Sequence, residues 1–527
     1  MNPTYVTLAG SAVISVGIAA FARQRGWNMA LPLVFSGIVV GLLPVGPSAP
    51  PDPEIVLVAI LAPLVFGEAM GSSYLDLRKV SRPVLALAIG LVCASTLIVG
   101  AVTVFVVAMP LAMAFALGAI LSPTDAVAVS AVARRAGLPR RIVSILEGES
   151  LVNDGTGLTA LKVALLAAAA GSVTLLQVGE FFLVAVVVGI GVGAAGGWLL
   201  SIILRRSRDL VASNALVLVA PFILYVVAEE LNGSGILALV FGALFVAHSQ
   251  NSDPGHTGRV QSTIVWRHIT FVLQALAFFL VGIELPDVIL GLDDASLRVL
   301  GLLVLAVLVT MIVTRGVFVF GMIVLSRALR QQVPRRQMFS ASAIVAWAGA
   351  RGPVSGLAAF SIPLTFSDGS EVPYRELILA TTFCVVVITL VLSATLAPLA
   401  RLVGIKPDDD QATVKRVDAV LARAALERLS DVEAEAEAAG HPLALEVSDR
   451  LRDDMERRLQ SSAHPESVTQ TQEIEVRQML STARAMVRAE QEELLRLRDE
   501  EGLPDAIVRP MLRDLDLRDQ ALRARDA

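Results

Sequence analysis

Thirteen runs of mostly apolar residues follow one another along the first three quarters of the chain. They fall at 5–22, 27–43, 54–71, 83–108, 111–133, 142–170, 178–204, 211–229, 234–249, 264–283, 297–326, 338–365 and 376–403. A helix needs roughly 20 such residues to cross the hydrocarbon of a bilayer. Backbone groups in lipid must bond within their own segment, so the runs predict transmembrane helices rather than strands. Past residue 406 the pattern changes to isolated apolar positions at helical spacing among charges: Val414, Val417 and Leu421, then Leu494 and Leu497, then Val508, Leu512 and Leu515. DVEAEAEAAG ends on a glycine stop and Pro465 interrupts the pattern again, which predicts several surface or bundle helices. The expected fold is all-α: a polytopic membrane domain over 1–403 and a helical tail over 406–527.

Composition agrees with two parts in two solvents. Apolar residues make up 55% of the chain and charged ones 17%, against roughly 45–50% and 25% in a soluble domain. A net charge of −5 over 527 residues averages two dissimilar parts and identifies no partner. The chain has no basic, aromatic-rich stretch suited to nucleic acid. Cys93 and Cys384 lie in apolar runs without framework or metal-ligand spacing, and read as small membrane-buried side chains.

Basic residues orient the runs. A signal peptide carries its positive charge before the apolar core; here Arg23 and Arg25 come after it, so the first run is expected to be retained. With the N-terminus outside, the cytoplasmic loops hold Arg23 and Arg25; Arg78, Lys79 and Arg82; Arg134, Arg135, Arg140 and Arg141; Arg205, Arg206 and Arg208; Arg259 and Arg267; and Arg327, Arg330, Arg335 and Arg336. The outer loops hold only Arg298 and Arg375. This alternation obeys the positive-inside rule throughout. It predicts a multi-pass protein of the cell (inner) membrane, N-terminus out and C-terminus in the cytoplasm, with lipid around it.

An ionisable group inside a span costs roughly 2.5–3.5 kcal/mol on insertion scales and persists when it is paired or lines a path. The fifth run contains ILSPTDAVAVSAV, with Pro123 removing a helical hydrogen bond beside Asp125. Freed carbonyls next to a carboxylate would make a cation site; a proline kink with an incidental aspartate is the plainer alternative. In the sixth run, ILEGESLVNDGTGLTALKVALL, Ser150 and Asp154 share a helix face while Glu149 and Asp154 diverge. That separation argues for two jobs, one carboxylate facing an ion path and the other pairing with a neighbouring helix. Gly148, Gly155 and Gly157 would admit another backbone. Arg315 lies near the middle of the eleventh run with no neutralising partner in it, and Glu149 is the natural candidate. In the twelfth run, AIVAWAGARGPVSGLAAFSIP, glycines and Pro353 flank Arg351, which predicts a second broken helix whose arginine offsets exposed carbonyl ends. The two broken runs stand seven apart in order and so run in opposite directions. Such a pair points to inverted six-helix repeats, runs 1–6 and 8–13, with the site at the midplane. Gly189, Gly193 and Gly197 in the seventh run read as a packing stripe, and Lys162 as a side chain that snorkels outward.

At LSPTDAVAV (121–129), EGESLVNDGTG (147–157), FFLVGIEL (278–285), VTRGVFV (313–319) and AGARGPVSGLAAF (348–360) the chain resembles the cation/proton antiporters that include bacterial NhaP-type proteins and eukaryotic NHE exchangers. The segments come in the family's order, and the resemblance covers roughly 1–403. It implies secondary antiport and no enzyme activity, no cofactor, and a monovalent cation and a proton as substrates. It places the ion site, the transported Na+ included, on Asp125 and Asp154, with Thr124 and Ser150 supplying further oxygens. It also implies a structural ion pair of Glu149 with Arg315, the glycine-rich arginine motif on Arg351, and a homodimer. Asn153 is the residue that the resemblance links to electroneutral exchange. The chain departs from the family at 62–78, APLVFGEAMGSSYLDLR, where nothing is carried over to Glu68. Nothing in the residues separates Na+ or Li+ from K+. A channel or a membrane sensor signalling through its tail is the rival from another class, although neither a pore-loop filter nor an output domain is evident. The tail is expected to regulate or oligomerise the protein.

Overall fold

The computed structural model describes residues 3–43, 56–125, 138–171, 174–207, 209–252, 258–328, 335–366, 369–403, 410–439, 444–463, 470–501 and 505–526. Among them the elements are helices, with one isolated β-bridge between Thr365 and Glu371. The chain separates into two compact units, Met1–Asp408 and Asp409–Ala527.

In the first unit the helices are α1 (Pro3–Gln24), α2 (Ala30–Gly41), α3 (Val56–Gly71), α4 (Tyr74–Lys79), α5 (Ser81–Val107), α6 (Leu111–Leu121), α7 (Arg140–Ala170), α8 (Leu175–Arg206), α9 (Leu210–Glu230), α10 (Gly235–Ser252), α11 (Gly258–Leu290), α12 (Asp294–Ala328), α13 (Arg335–Trp347), α14 (Pro353–Phe360), α15 (Arg375–Ser393) and α16 (Leu396–Val403). Among the described residues, six helices are long and apolar enough to cross a membrane: Ser81–Val107, Leu176–Arg206, Val211–Glu230, Ser262–Leu290, Asp294–Met322 and Arg375–Ser393. Helix α7 has 31 residues, but its carboxylates and Lys162 dilute its hydropathy. Thirteen crossings is therefore more than length and composition establish.

Three of the expected runs are not single helices. The fifth ends as helix α6 at Leu121, and Ser122–Asp125 is irregular; its remainder, 126–133, lies outside the described residues. The twelfth stops at Trp347 and resumes at Pro353. The thirteenth, expected to be continuous over 376–403, divides at Ala394 and Thr395. Pro398 is the reason: it has no N–H to give the carbonyl of Ala394, and its ring crowds that oxygen.

Packing sorts the helices into two groups. Helices α1, α2, α3, α8, α9, α10 and α11 pack chiefly on one another, as do α5, α6, α7, α12 and α13, while α14 and α15 pack on both groups. The glycine stripe of α8 serves the first group. A Cβ on Gly189, Gly193 or Gly197 would lie 2.4–2.7 Å from the carbonyl oxygens of Ser234, Ala238 and Gly242, so the backbones of α8 and α10 touch at each turn. Helix α7 meets that group along Gly155, Thr159 and Lys162, one stripe at i, i+4 and i+7. Thr159 Oγ1 accepts from the Ser234 hydroxyl at 2.8 Å, its own proton going to the Gly155 carbonyl at 2.6 Å. Lys162 Nζ donates to Glu229 Oε2 at 2.6 Å and to the Gly233 carbonyl at 3.3 Å, and Glu229 Oε1 accepts from Gly235 N at 3.0 Å. Lys162 is thus held by the α9–α10 corner instead of snorkelling free.

In the second unit, α17 (Asp410–Ala438) pairs with α18 (Leu445–Ala463), and α19 (Gln470–Glu501) with α20 (Asp505–Asp526). The first pair is joined where Glu433 accepts from Arg452 at 2.7 Å and from Ser448. The second buries Val487, Leu494, Val508 and Leu515, with Leu512 packed against them. Val414, Val417 and Leu421, expected to form an apolar face, stay exposed. Their neighbour Ala422 is buried.

Both partners of the Lys162–Glu229 pair are about one-third exposed, so Lys162→Met is expected to cost no more than about 1 kcal/mol. Its effect should be local: faster hydrogen–deuterium exchange at 231–237 with unchanged exchange at 348–352. Unchanged protection at the corner would show that the pair does not hold it.

Candidate functional site

The two helix breaks meet. The amide of Asp125 donates to the Ala350 carbonyl at 2.9 Å. Arg351 Nε donates to the Leu121 carbonyl at 2.6 Å, and its Nη1 to the Gly349 carbonyl at 2.7 Å. A helix end leaves carbonyls without intrahelical partners and carries partial negative charge; one guanidinium answers that at both breaks. The amide of Arg351 donates to Thr389 Oγ1 at 3.0 Å, which anchors the second break on α15. Ser122 Oγ recovers another carbonyl, that of Ala119, at 2.9 Å. The crossing is tight: a Cβ on Gly352 would lie 2.5 Å from Asp125 Cβ and 2.6 Å from its Cγ. Gly157 similarly makes room on α7 for the ring of Pro123, 2.4 Å from where its Cβ would be. Gly148 and Gly155 face the side chains of Leu77, Val84 and Leu237, where the sequence suggested a neighbouring backbone.

Behind the crossing is a buried ion pair. Arg315 Nη1 and Nη2 donate to Glu149 Oε1 and Oε2 at 2.5 and 2.9 Å, and Arg315 Nε donates to the Val345 carbonyl at 3.0 Å. The residues are 3% and 1% exposed. Burial on this scale calls for bidentate geometry and further hydrogen bonds; the pair is bidentate and Nε is also engaged. Thr124 Oγ1 donates to Glu149 Oε1 at 3.3 Å and accepts from Asn153 Nδ2 at 3.0 Å. The chain Arg315–Glu149–Thr124–Asn153 therefore couples α12, α7 and the first break.

In front of the crossing, Glu68, Pro123, Thr124, Asp125, Asp154, Gly352, Val354 and Ser355 line a small cavity. About 10 Å³ is open to the centre of a water-sized sphere, space for roughly one water. Asp125 and Asp154, from the first break and α7, are both buried and both face it. Ser150 and Asn153 are buried but are not among the lining residues. The Thr124 hydroxyl, expected to serve an ion, is engaged by Glu149 and Asn153. Glu68, to which the sequence reading assigned nothing, supplies a third carboxylate from α3; its Oε1 accepts from Gln274 Nε2 at 3.0 Å. An acid inside an apolar run was the available signal, and the unfamiliar local sequence obscured it. Three carboxylates around a space of this size can hold a proton or a hard cation, for which oxygen ligands are suited.

Crossed helix breaks bridged by an arginine, with carboxylates at the crossing inside an apolar helical unit, make a site suited to a small cation or a proton. Residues 11–402 match the family described as sodium/hydrogen exchanger, transmembrane, and the chain belongs to that family of secondary transporters. It is 35% identical over 380 residues to a sodium, potassium, lithium and rubidium/H+ antiporter from Bacillus pumilus, covering 69% of this chain and 56% of that protein. An uncharacterized Na+/H+ exchanger from Mycobacterium bovis is 33% identical over 411 residues, 77% of this chain and 75% of that one. The fold is similar to that of the sodium proton antiporter MjNhaP1 from Methanocaldococcus jannaschii at pH 8, with a TM-score of 0.61 and 19% identity over 75% of this chain and 98% of that one. The chain thus spans little more than half the length of the Bacillus relative.

Two outcomes are expected here. Glu149→Ala strands Arg315 in the interior and should destabilise the protein by about 3–5 kcal/mol, read as a fall in thermal midpoint in detergent; a midpoint equal to the wild type would count against a structural ion pair. Gly352→Ala should abolish transport by forcing Asp125 from the crossing while leaving expression intact, and full transport would mean that the crossing can open.

Proposed function

We propose that the chain exchanges Na+, with Li+ as a second substrate, for H+ across the cell membrane at the cavity between Asp125 and Asp154. The observation that carries this reading is the convergence of both aspartates, with Glu68, on one small cavity where two helix breaks cross. A proton or a cation on these carboxylates lowers their uncompensated charge. The fully ionised, empty site is the costly one to carry through the bilayer. Either load therefore permits the change of access and the empty state resists it, which couples the two fluxes. Neutral Asn153 beside Asp154 supports one proton per cation and electroneutral exchange. In this reading Asp125 and Asp154 bind the ion. Glu149 with Arg315 holds α7 in place, and Arg351 bridges the helix breaks. Thirteen crossings in two inverted six-helix repeats, N-terminus out and C-terminus in, a homodimer in lipid and a regulatory tail over 406–527 belong to the same proposal.

The same site moving K+, or several monovalent cations, is the second reading. The name of the Bacillus pumilus relative favours it.

Sealed vesicles with purified protein and an internal fluorescent pH reporter test both. After a pH gradient is imposed, Na+ is expected to collapse it in the wild type, with or without a voltage clamp, and Asp154→Asn to abolish the response while remaining folded. Collapse with K+ alone would keep the site and change the substrate. Normal sodium-driven proton movement in Asp154→Asn would sink the scheme.

A further inference from the structure

Beside the carboxylates, the cavity is lined by a hydroxyl that takes no part in bridging the helix breaks or in the ion pair. Ser355 is 1% exposed, lines the cavity beside Glu68, Asp125 and Asp154, and its hydroxyl has no hydrogen-bond partner among the described residues. Buried hydroxyls in native proteins are satisfied as a rule, and each exception calls for an explanation.

The local backbone accounts for its isolation. A serine or threonine inside a helix ordinarily donates to the carbonyl three or four residues earlier. Thr156 does so to Val152 at 2.9 Å, Thr159 to Gly155 at 2.6 Å and Ser393 to Leu390 at 2.6 Å. Ser355 is the third residue of α14, so the corresponding positions, Arg351 and Gly352, precede the helix. Gly352 is extended, at φ −110° and ψ −170°, and neither carbonyl is aligned to receive the hydroxyl. The helix break that opens the site thus also leaves Ser355 Oγ uncommitted within it. Val354, the other lining residue from α14, offers no polar atom.

We propose that Ser355 Oγ is an oxygen ligand of the transported cation and helps to set which cation the site prefers. A hydroxyl suits a site with alternating loads. Its lone pairs can ligate a hard cation, and its proton can be donated to an ionised carboxylate once the cation has left. The helix N-terminus behind it favours ionised carboxylates but presents only donors, so a cation gains an acceptor from α14 through this side chain. The inference rests on the exchange reading above and adds a residue to its site.

Ser355→Ala and the nearly isosteric Ser355→Cys, whose soft sulfur ligates a hard cation poorly, test it in the vesicle assay with Na+, Li+ and K+ titrated separately. The apparent KM for Na+ should rise about 3- to 10-fold in both, the scale of one polar contact. The ratios among the three cations should change, and the maximal rate should stay within about twofold of wild type. Thermal unfolding in detergent supplies a readout independent of transport. The rise in midpoint on adding Na+ should shrink in both variants relative to wild type. Wild-type KM, cation ratios and sodium-dependent midpoint in both variants would overturn the assignment while leaving the exchange reading intact. A wild-type protein that moves no cation would overturn both.

Discussion

A helix that stops inside a bilayer leaves carbonyl groups that lipid cannot satisfy, and this constraint organises the first unit. Two helices stop, and Arg351 serves both ends by donating to the carbonyls of Leu121 and Gly349. One buried guanidinium thereby offsets two sets of partial negative charge, and the Asp125–Ala350 backbone bond fixes the crossing. Without that bridge the breaks would be two separate defects. With it they form a rigid crossing at which a carboxylate can be presented to a cavity.

The remaining buried charges divide into holding and binding roles by whether a protein partner neutralises them. Glu149 is neutralised by Arg315 with bidentate geometry and further receives Thr124. It has little capacity left for an ion. Asp154, five residues on, points elsewhere and faces the cavity with Asp125. One helical turn and a half is enough to place two acids of the same helix in different environments. Glu68 comes from the other packing group, on α3, and Gln274 orients it. The cavity therefore lies on the seam between the two helix groups, where a relative movement would change both its shape and its access.

The same seam is closed on another face of α7 by Gly155, Thr159 and Lys162 against the corner that leads into α10. The glycines here do not confer looseness. Those of α8 bring backbones into contact turn by turn, and Gly352 admits the side chain of Asp125. Close approach is how helices associate where burial of apolar surface provides no drive.

Periodicity and charge made the outline legible. Apolar runs predicted an all-helical membrane unit and a charged helical tail, because lipid and water sort side chains by composition alone. Pro123 and the glycines around Arg351 marked both breaks, since a missing N–H or a missing Cβ acts locally. The divergence of Glu149 from Asp154 follows from helical geometry within one segment. Other features depended on what lay across from each residue. Pro398 split the last run because its ring sits one turn after Ala394, a local effect hidden by the run's hydropathy. Val414, Val417 and Leu421 had helical spacing yet stay exposed, because spacing creates a face without supplying something to cover it. Glu68, Gln274 and Ser355 are distant from Asp125 in sequence, and only the packing of α3, α11 and α14 brings them to or beside the cavity. The sequence by itself determined which residues are too costly to be idle in a membrane. The tertiary structure decided which of them are neutralised by the protein and which face an open space, because that depends on partners contributed by other helices.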